Sequence, residues 1–203
     1  MKTKEQIKET NRKFFDLWAR TYDWGISKPW LYSLQKKTVS YLKLKNKLRI
    51  LDIGCGTGDS LVLLNKLNPN LNLYGLDISG KMLEKANKKL KEKAILKLGE
   101  VEKIPFKRNS FDYIITTEAF HHFPNPESAL KEIYRVLKKK GKLILTDITF
   151  KSKLIKRIFK FLEPGHVKIY TEEEFKELFN KNKLKIIEQK RIGLFVVLTI
   201  GQK

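Results

Sequence analysis

The sequence predicts an α/β fold, a seven-stranded and mostly parallel sheet with an antiparallel C-terminal strand, covered by helices and preceded by an N-terminal helical segment whose position alone suits a lid, an oligomer arm or plain packing. Three observations carry this. From about residue 48, short β-type runs alternate with amphipathic helical stretches, as in a parallel sheet with crossover helices on both faces. The first β-type run ends in a glycine-rich turn that leads directly into a helix. The last two runs stand too close together for a crossover connection and must pair antiparallel.

Taken in order, two helical stretches come first, over 4–20 and 29–44. Ile7, Phe14, Phe15, Leu17 and Trp18 give the first an apolar stripe, and Pro29 suits the start of the second. Residues 1–47 are expected to form this helical segment and 48–203 the sheet domain. Strands are expected over 48–53, 71–77, 94–99, 111–116 and 142–148, with helices over 59–67, 80–91 and 126–138 between them. Asn125 is placed to cap the last of these, with Pro126 at its first position, where a missing N–H costs nothing. Thr171 and Glu174 form a capping box that opens a helix to about 181. Two closing strands, 184–189 and 194–200, are joined around 191–193.

The 203 residues carry 43 Lys and Arg against 22 Asp and Glu, a formal charge of +21. The lysines recur nearly everywhere outside the apolar runs, which reads as a solvating coat or as affinity for an anionic partner such as RNA. No apolar run approaches membrane-spanning length, and the N-terminus is charged where a signal peptide is apolar. Cys55 is the only cysteine, and the three histidines, His121, His122 and His166, lack zinc-site spacing. The expectation is a cytoplasmic chain without a metal.

The most informative run is 48–59, an apolar strand ending in Gly54, Cys55, Gly56, Thr57 and Gly58. Glycines here let the backbone turn sharply and let a ligand approach where a Cβ would collide. The spacing is G-x-G-x-G, not the dinucleotide fingerprint, and Asp52 stands two residues before the first glycine. A carboxylate there repels a pyrophosphate and attracts a cation. Asp77, at the end of the second strand, can accept hydrogen bonds from both hydroxyls of a ribose. Together these acids describe a nucleoside bearing an amino-acid-like cation.

At this point the chain resembles the class I S-adenosylmethionine-dependent methyltransferases, Rossmann-like in fold, in their ubiquinone/menaquinone-biosynthesis-like branch. The resemblance runs through five ordered blocks, 50–59, 75–79, 99–106, 111–123 and 135–147. It implies that the cofactor is S-adenosyl-L-methionine. The backbone around Gly54, Cys55 and Gly56 would line its methionine part, with Asp52 near the ammonium and Asp77 on the ribose. Ile78 and Met82 would flank the adenine. Glu100 and Val101 would meet the adenine edge, Glu100 being longer than the family's usual Asp. Thr117 would lie beneath the sulfonium, and Tyr22, in a run like the family's lid segment, would close over the cofactor.

Methyl transfer from a sulfonium is an in-line displacement, so a base is needed only where the acceptor must lose a proton. His121 and His122, just beyond the fourth strand, are the candidates for that base. After the fifth strand, 151–162 reads as a basic amphipathic helix. The resemblance implies that the connection after this strand forms part of the acceptor pocket, which makes this segment, with Trp30, His166 and Tyr170, the candidate acceptor-side wall. Three functions follow: methyl transfer to oxygen, carbon or nitrogen of a small molecule such as a quinone; methyl transfer to RNA, favoured by the charge; or cofactor binding without catalysis. The basic helix would also suit peripheral contact with a membrane. An RNA enzyme would be expected to carry an appended binding module or an aromatic-rich basic sheet motif, and neither is present.

Overall fold

Side chains alternating between the two faces of single strands explain how this chain builds two helix layers on one sheet. In a computed structural model describing residues 3–150, 152 and 167–203, strand β1 (Arg49–Ile53) sends Ile50 to one face and Leu51 and Ile53 to the other. Ile50 joins Leu73, Ile115, Ile144 and Leu198 against α2 (Lys28–Ser40), α3 (Asp59–Leu67) and α4 (Gly80–Leu90). Leu51 and Ile53 join Leu76, Ile114, Leu145 and Val197 against α5 (Pro126–Val136) and α6 (Glu172–Lys181). The period of two in the strands thus becomes two cores, each sealed by a helical stripe.

The remaining strands are β2 (Asn72–Asp77), β3 (Ala94–Leu98), β4 (Phe111–Thr117), β5 (Leu137–Ile148), β6 (Lys185–Gly193) and β7 (Val196–Gln202). Their order is β3-β2-β1-β4-β5-β7-β6. Strands β3 to β5 run parallel to β1, and β7 is antiparallel to both β5 and β6, so one strand is reversed as the sequence predicts. The chain switches direction across the sheet between β1 and β4. A crevice opens there at the carboxyl ends of the strands, the place where such sheets hold ligands.

The expected caps form. Asn125 accepts from the Ser128 N–H at 3.3 Å with Pro126 at the first turn, and Thr171 and Glu174 make the reciprocal capping box. Three boundaries differ by more than two residues. Helix α2 ends at Ser40, four residues before the expected stop. Strand β5 starts at Leu137, which pairs with Phe111 before an irregularity that ends where Lys142 meets Tyr113. The segment 191–193, expected to be the final turn, belongs to β6, and Gly193 pairs with Val196 around a two-residue turn. An apolar Leu-Phe pair reads as strand in sequence, yet Leu194 and Phe195 make that turn and stand exposed.

Helix α1 (Lys4–Trp18) starts at a capping box on Thr3 and lies across the crevice. Helix α2 is fastened more deeply. Leu31, Leu34 and Val39 are buried, and Thr38 donates to the Thr146 hydroxyl at 2.8 Å, tying α2 to β5. The expected basic helix over 151–162 lies, apart from Ser152, outside the described residues. None of the described helices is long and apolar enough to cross a membrane.

Candidate functional site

The glycine turn after β1 is shaped by its backbone. Gly54 has φ +68°, and a Cβ on it would sit 2.6 Å from that of Ala119. Gly56 has φ +51°, and the space a Cβ would fill there is open. One glycine is needed for packing, the other leaves room for a ligand. Leu76 ties the turn to β2, its carbonyl accepting from the Gly54 and Cys55 N–H groups at 2.8 and 3.2 Å.

Asp77 closes the turn from the opposite side. Its two oxygens accept from the Gly56 N–H at 2.7 Å and the Ser79 N–H at 2.9 Å. Burial nevertheless pushes this carboxyl up to about 6, the backbone donors only partly offsetting it. Asp52 is buried beside it, and burial, then the charges of Asp77 and Asp59, push its carboxyl well above the ordinary range. Burial, then the charges of Asp77 and Asp52, push the Cys55 thiol up, so it behaves as a small inert side chain in the turn. A cationic ligand would suit this arrangement, since a positive charge favours both ionised carboxylates.

These acids floor a cavity of about 740 Å³. Of the residues singled out in the sequence, it is lined by Tyr22, Trp30, Asp52, Gly54, Cys55, Gly56, Asp77, Ile78, Met82, Glu100, Val101, Thr117, His121 and His122. One described residue does not join them. Tyr170 does not reach the cavity: it is buried against Phe120 and Phe175, with ring centroids at 5.5 and 5.3 Å, and serves the core. His166 lies outside the described residues.

The roof is α1 and the segment after it. Lys8 forms an ion pair with Glu100 at 2.5 Å, Asn11 donates to the His122 carbonyl at 2.9 Å, and Asp16 accepts from the Ser79 hydroxyl at 2.6 Å. Further along, Lys28 and Lys89 each bridge Asp23 and Asp59. Lys28 lies 2.8 Å from Asp23, and Lys89 lies 2.7 and 3.0 Å from the two carboxylates. Thr57 donates to Asp23 at 3.0 Å. Burial opposes ionisation of Asp23, but the hydrogen bonds from Lys28 and Lys89 outweigh it and hold the carboxyl at about 2. Tyr22, beside this cluster, has its phenol pushed up by burial and by Asp59 and Asp77.

On the other side of the cavity, β4 ends at Thr117, whose hydroxyl donates to that of Thr38 at 3.1 Å. The short turn Phe120–His122 follows. Asp147, at the end of β5, accepts from the His121 backbone N–H at 2.9 Å and lies 2.6 Å from its Nδ1. A carboxylate at Nδ1 holds the neutral ring with its proton there, which leaves Nε2 as the basic nitrogen. The His122 ring stands edge-on to Phe15 at 4.9 Å. Phe14, Phe15, Trp18, Leu31 and Phe123 complete an apolar wall.

Sequence reasoning missed Asp147 and the Lys28–Lys89 cluster. For Asp147 a signal was available: like Asp52 and Asp77 it is an acid at the carboxyl end of a parallel strand. Nothing local marks Lys89, whose partners are 66 and 30 residues away.

Residues 44–190 match the family model described as a methyltransferase domain. The chain is 36% identical over 134 residues to a demethylmenaquinone methyltransferase of Thermotoga maritima, covering 66% of this chain and 56% of that protein. To the protein of that name from Lactobacillus johnsonii it is 39% identical over 115 residues, 54% and 47% of the two chains. The chain therefore spans about half the length of these curated relatives. A solved S-adenosylmethionine-dependent methyltransferase of Thermotoga maritima, 26% identical, superposes with a TM-score of 0.74 over 94% of this chain and 99% of that one. A Haloferax volcanii protein solved in complex with the Trm112 methyltransferase activator shares the fold at 20% identity, with a TM-score of 0.83 over 93% and 96%.

Proposed function

The chain belongs to the class I S-adenosylmethionine-dependent methyltransferases, and from that premise we propose that it methylates a small, apolar, quinone-like acceptor. The observation that carries this reading is the pair of buried acids, Asp52 and Asp77, flanking a glycine turn whose Gly56 leaves the space of a side chain open. When bound, S-adenosylmethionine supplies a methyl group on a sulfonium, an already activated leaving group. Asp52 balances the ammonium, and Asp77 accepts from the ribose hydroxyls with the oxygen capacity its two backbone donors leave. The backbone of Gly54, Cys55 and Gly56 follows the methionine part. Ile78, Met82 and Val101 flank the adenine, and Glu100 meets its edge while holding Lys8 of the lid. Thr117 sits beneath the sulfonium and Tyr22 closes over it.

Acceptor and base belong to the opposite wall. Phe14, Phe15, Trp18, Trp30 and Leu31 offer flat apolar contact suited to an aromatic ring. His121, oriented by Asp147, takes the acceptor's proton on Nε2, and His122 lines the same wall while its carbonyl anchors α1. The names of the curated relatives support a quinone-like acceptor. RNA is not favoured, because the wall beside the histidines is apolar and the lysines are spread over every layer of the fold. The lone cysteine, buried and without a disulfide partner, supports a cytoplasmic place of action.

The test is a transfer assay with methyl-labelled S-adenosylmethionine and extract of the source cells. Label in the organic-soluble fraction, falling steeply in Asp147→Asn while cofactor affinity holds, is the expected result. Label in an RNase-sensitive precipitate would overturn the acceptor assignment.

A further inference from the structure

The segment joining α1 to α2 turns apolar side chains outward. Trp24 is 88% exposed, Ile26 fully so, and Leu17 66%. Large apolar groups clustered in water mark an interaction surface more often than a lone exposed leucine does. Leu17 and Trp30 line the cavity and are also open to solvent, so they stand at its mouth. The segment is braced from behind: Trp24 N–H donates to Thr21 at 3.0 Å, Lys28 N–H to Gly25 at 3.0 Å, and Asp23 between them is gripped by Lys28 and Lys89. The apolar tip is therefore presented on an anchored base.

Cations border it. Arg20, Lys85 and Lys88 share a shallow groove with Leu17 and make no ion pair among the described residues, whereas Lys81 in that groove is neutralised by Glu84. Exposed indole and aliphatic groups together with these cations match the interface of an anionic bilayer, where the apolar groups enter the acyl boundary and the cations meet headgroup phosphates. An RNA strand would meet the cations and stack on Trp24, but would leave Ile26 and Leu17 in water.

We propose that the α1–α2 connection docks this protein on an anionic membrane surface, placing the cavity mouth at Leu17 and Trp30 against the lipid. Its use for loading an apolar acceptor rests on the function proposed above; the docking itself rests on the surface alone. The experiment is sedimentation of the full chain with phosphatidylcholine vesicles, with and without phosphatidylglycerol, alongside calorimetry with S-adenosylmethionine. Binding to the phosphatidylglycerol vesicles alone, weakened by salt and accompanied by a blue shift of tryptophan emission, is expected. The double substitution Trp24→Ser, Ile26→Ser lies outside the cavity. It should weaken vesicle binding by roughly tenfold or more. Its affinity for S-adenosylmethionine should match the parent's, which also reports that the fold is kept. No sedimentation with phosphatidylglycerol vesicles, or equal sedimentation of the variant, overturns the proposal, as does capture by RNA without vesicle binding. Vesicle binding in a protein that fails to bind S-adenosylmethionine would support the docking and sink the function instead.

Discussion

The floor and the roof of the cavity are built from different materials. The floor is backbone: Gly54 and Gly56 at positive φ, Leu76 accepting from two amides, and Asp77 gripped by two more. The roof is held by side chains, with Lys8 on Glu100, Asp16 on Ser79, and Lys28 and Lys89 between Asp23 and Asp59. Backbone geometry tolerates almost no substitution at the residue that makes it, while ion pairs at a partly exposed surface contribute little singly. A rigid floor fixes the ligand and a weakly latched roof lets it in.

Substituting the floor should have the largest effect. Gly54→Ala drives a Cβ against Ala119 at a left-handed backbone position, and about 2–4 kcal/mol of stability should be lost in urea unfolding. A loss under about 0.5 kcal/mol would mean that the floor adapts as the roof does. Next comes Asp77→Ala, expected to weaken S-adenosylmethionine binding by about 1–3 kcal/mol in calorimetry. The same carboxyl gives a signed pH test. Its pKa is raised from 3.8 to about 6, so its contribution to the stability of the ligand-free fold is present below 3.8 and lost as pH rises through about 6. Ribose binding favours the carboxylate, so cofactor affinity should fall as pH drops through about 6, and flat affinity there would remove Asp77 from the site. The smallest effect belongs to the roof: Lys89→Met should cost no more than about 1 kcal/mol of stability and should release the cofactor faster in stopped flow. A loss as large as that of Gly54→Ala would erase the contrast.

The same division decides what could be read in advance. The floor is local: strand, glycine turn and helix are contiguous, and Asp77 sits at the end of the next strand, so pattern and spacing suffice. Helix caps at Asn125 and Thr171 were legible for the same reason, since each is made within four residues. The roof depends on pairs distant in sequence. Lys8 meets Glu100 across 92 residues, and no periodicity marks one lysine among so many. Tyr170 shows the opposite error: its place after the fifth strand suggested the acceptor wall, but the aromatic cluster with Phe120 and Phe175 drew it into the core. The final turn was misplaced because Leu194 and Phe195 carry strand-like side chains around a bend set by the pairing of Gly193 with Val196.

Asp52 and Asp77 crowd one end of the cavity, and burial leaves the repulsion of Asp52 by Asp77 poorly screened. Such a pocket weighs the charge of its ligand as well as its shape. A spent cofactor, one positive charge poorer after giving up its methyl, relieves less of that repulsion than a fresh one. On the function proposed above, the acids that draw the donor in would loosen their hold once the transfer is done, and turnover would carry its own means of exchange.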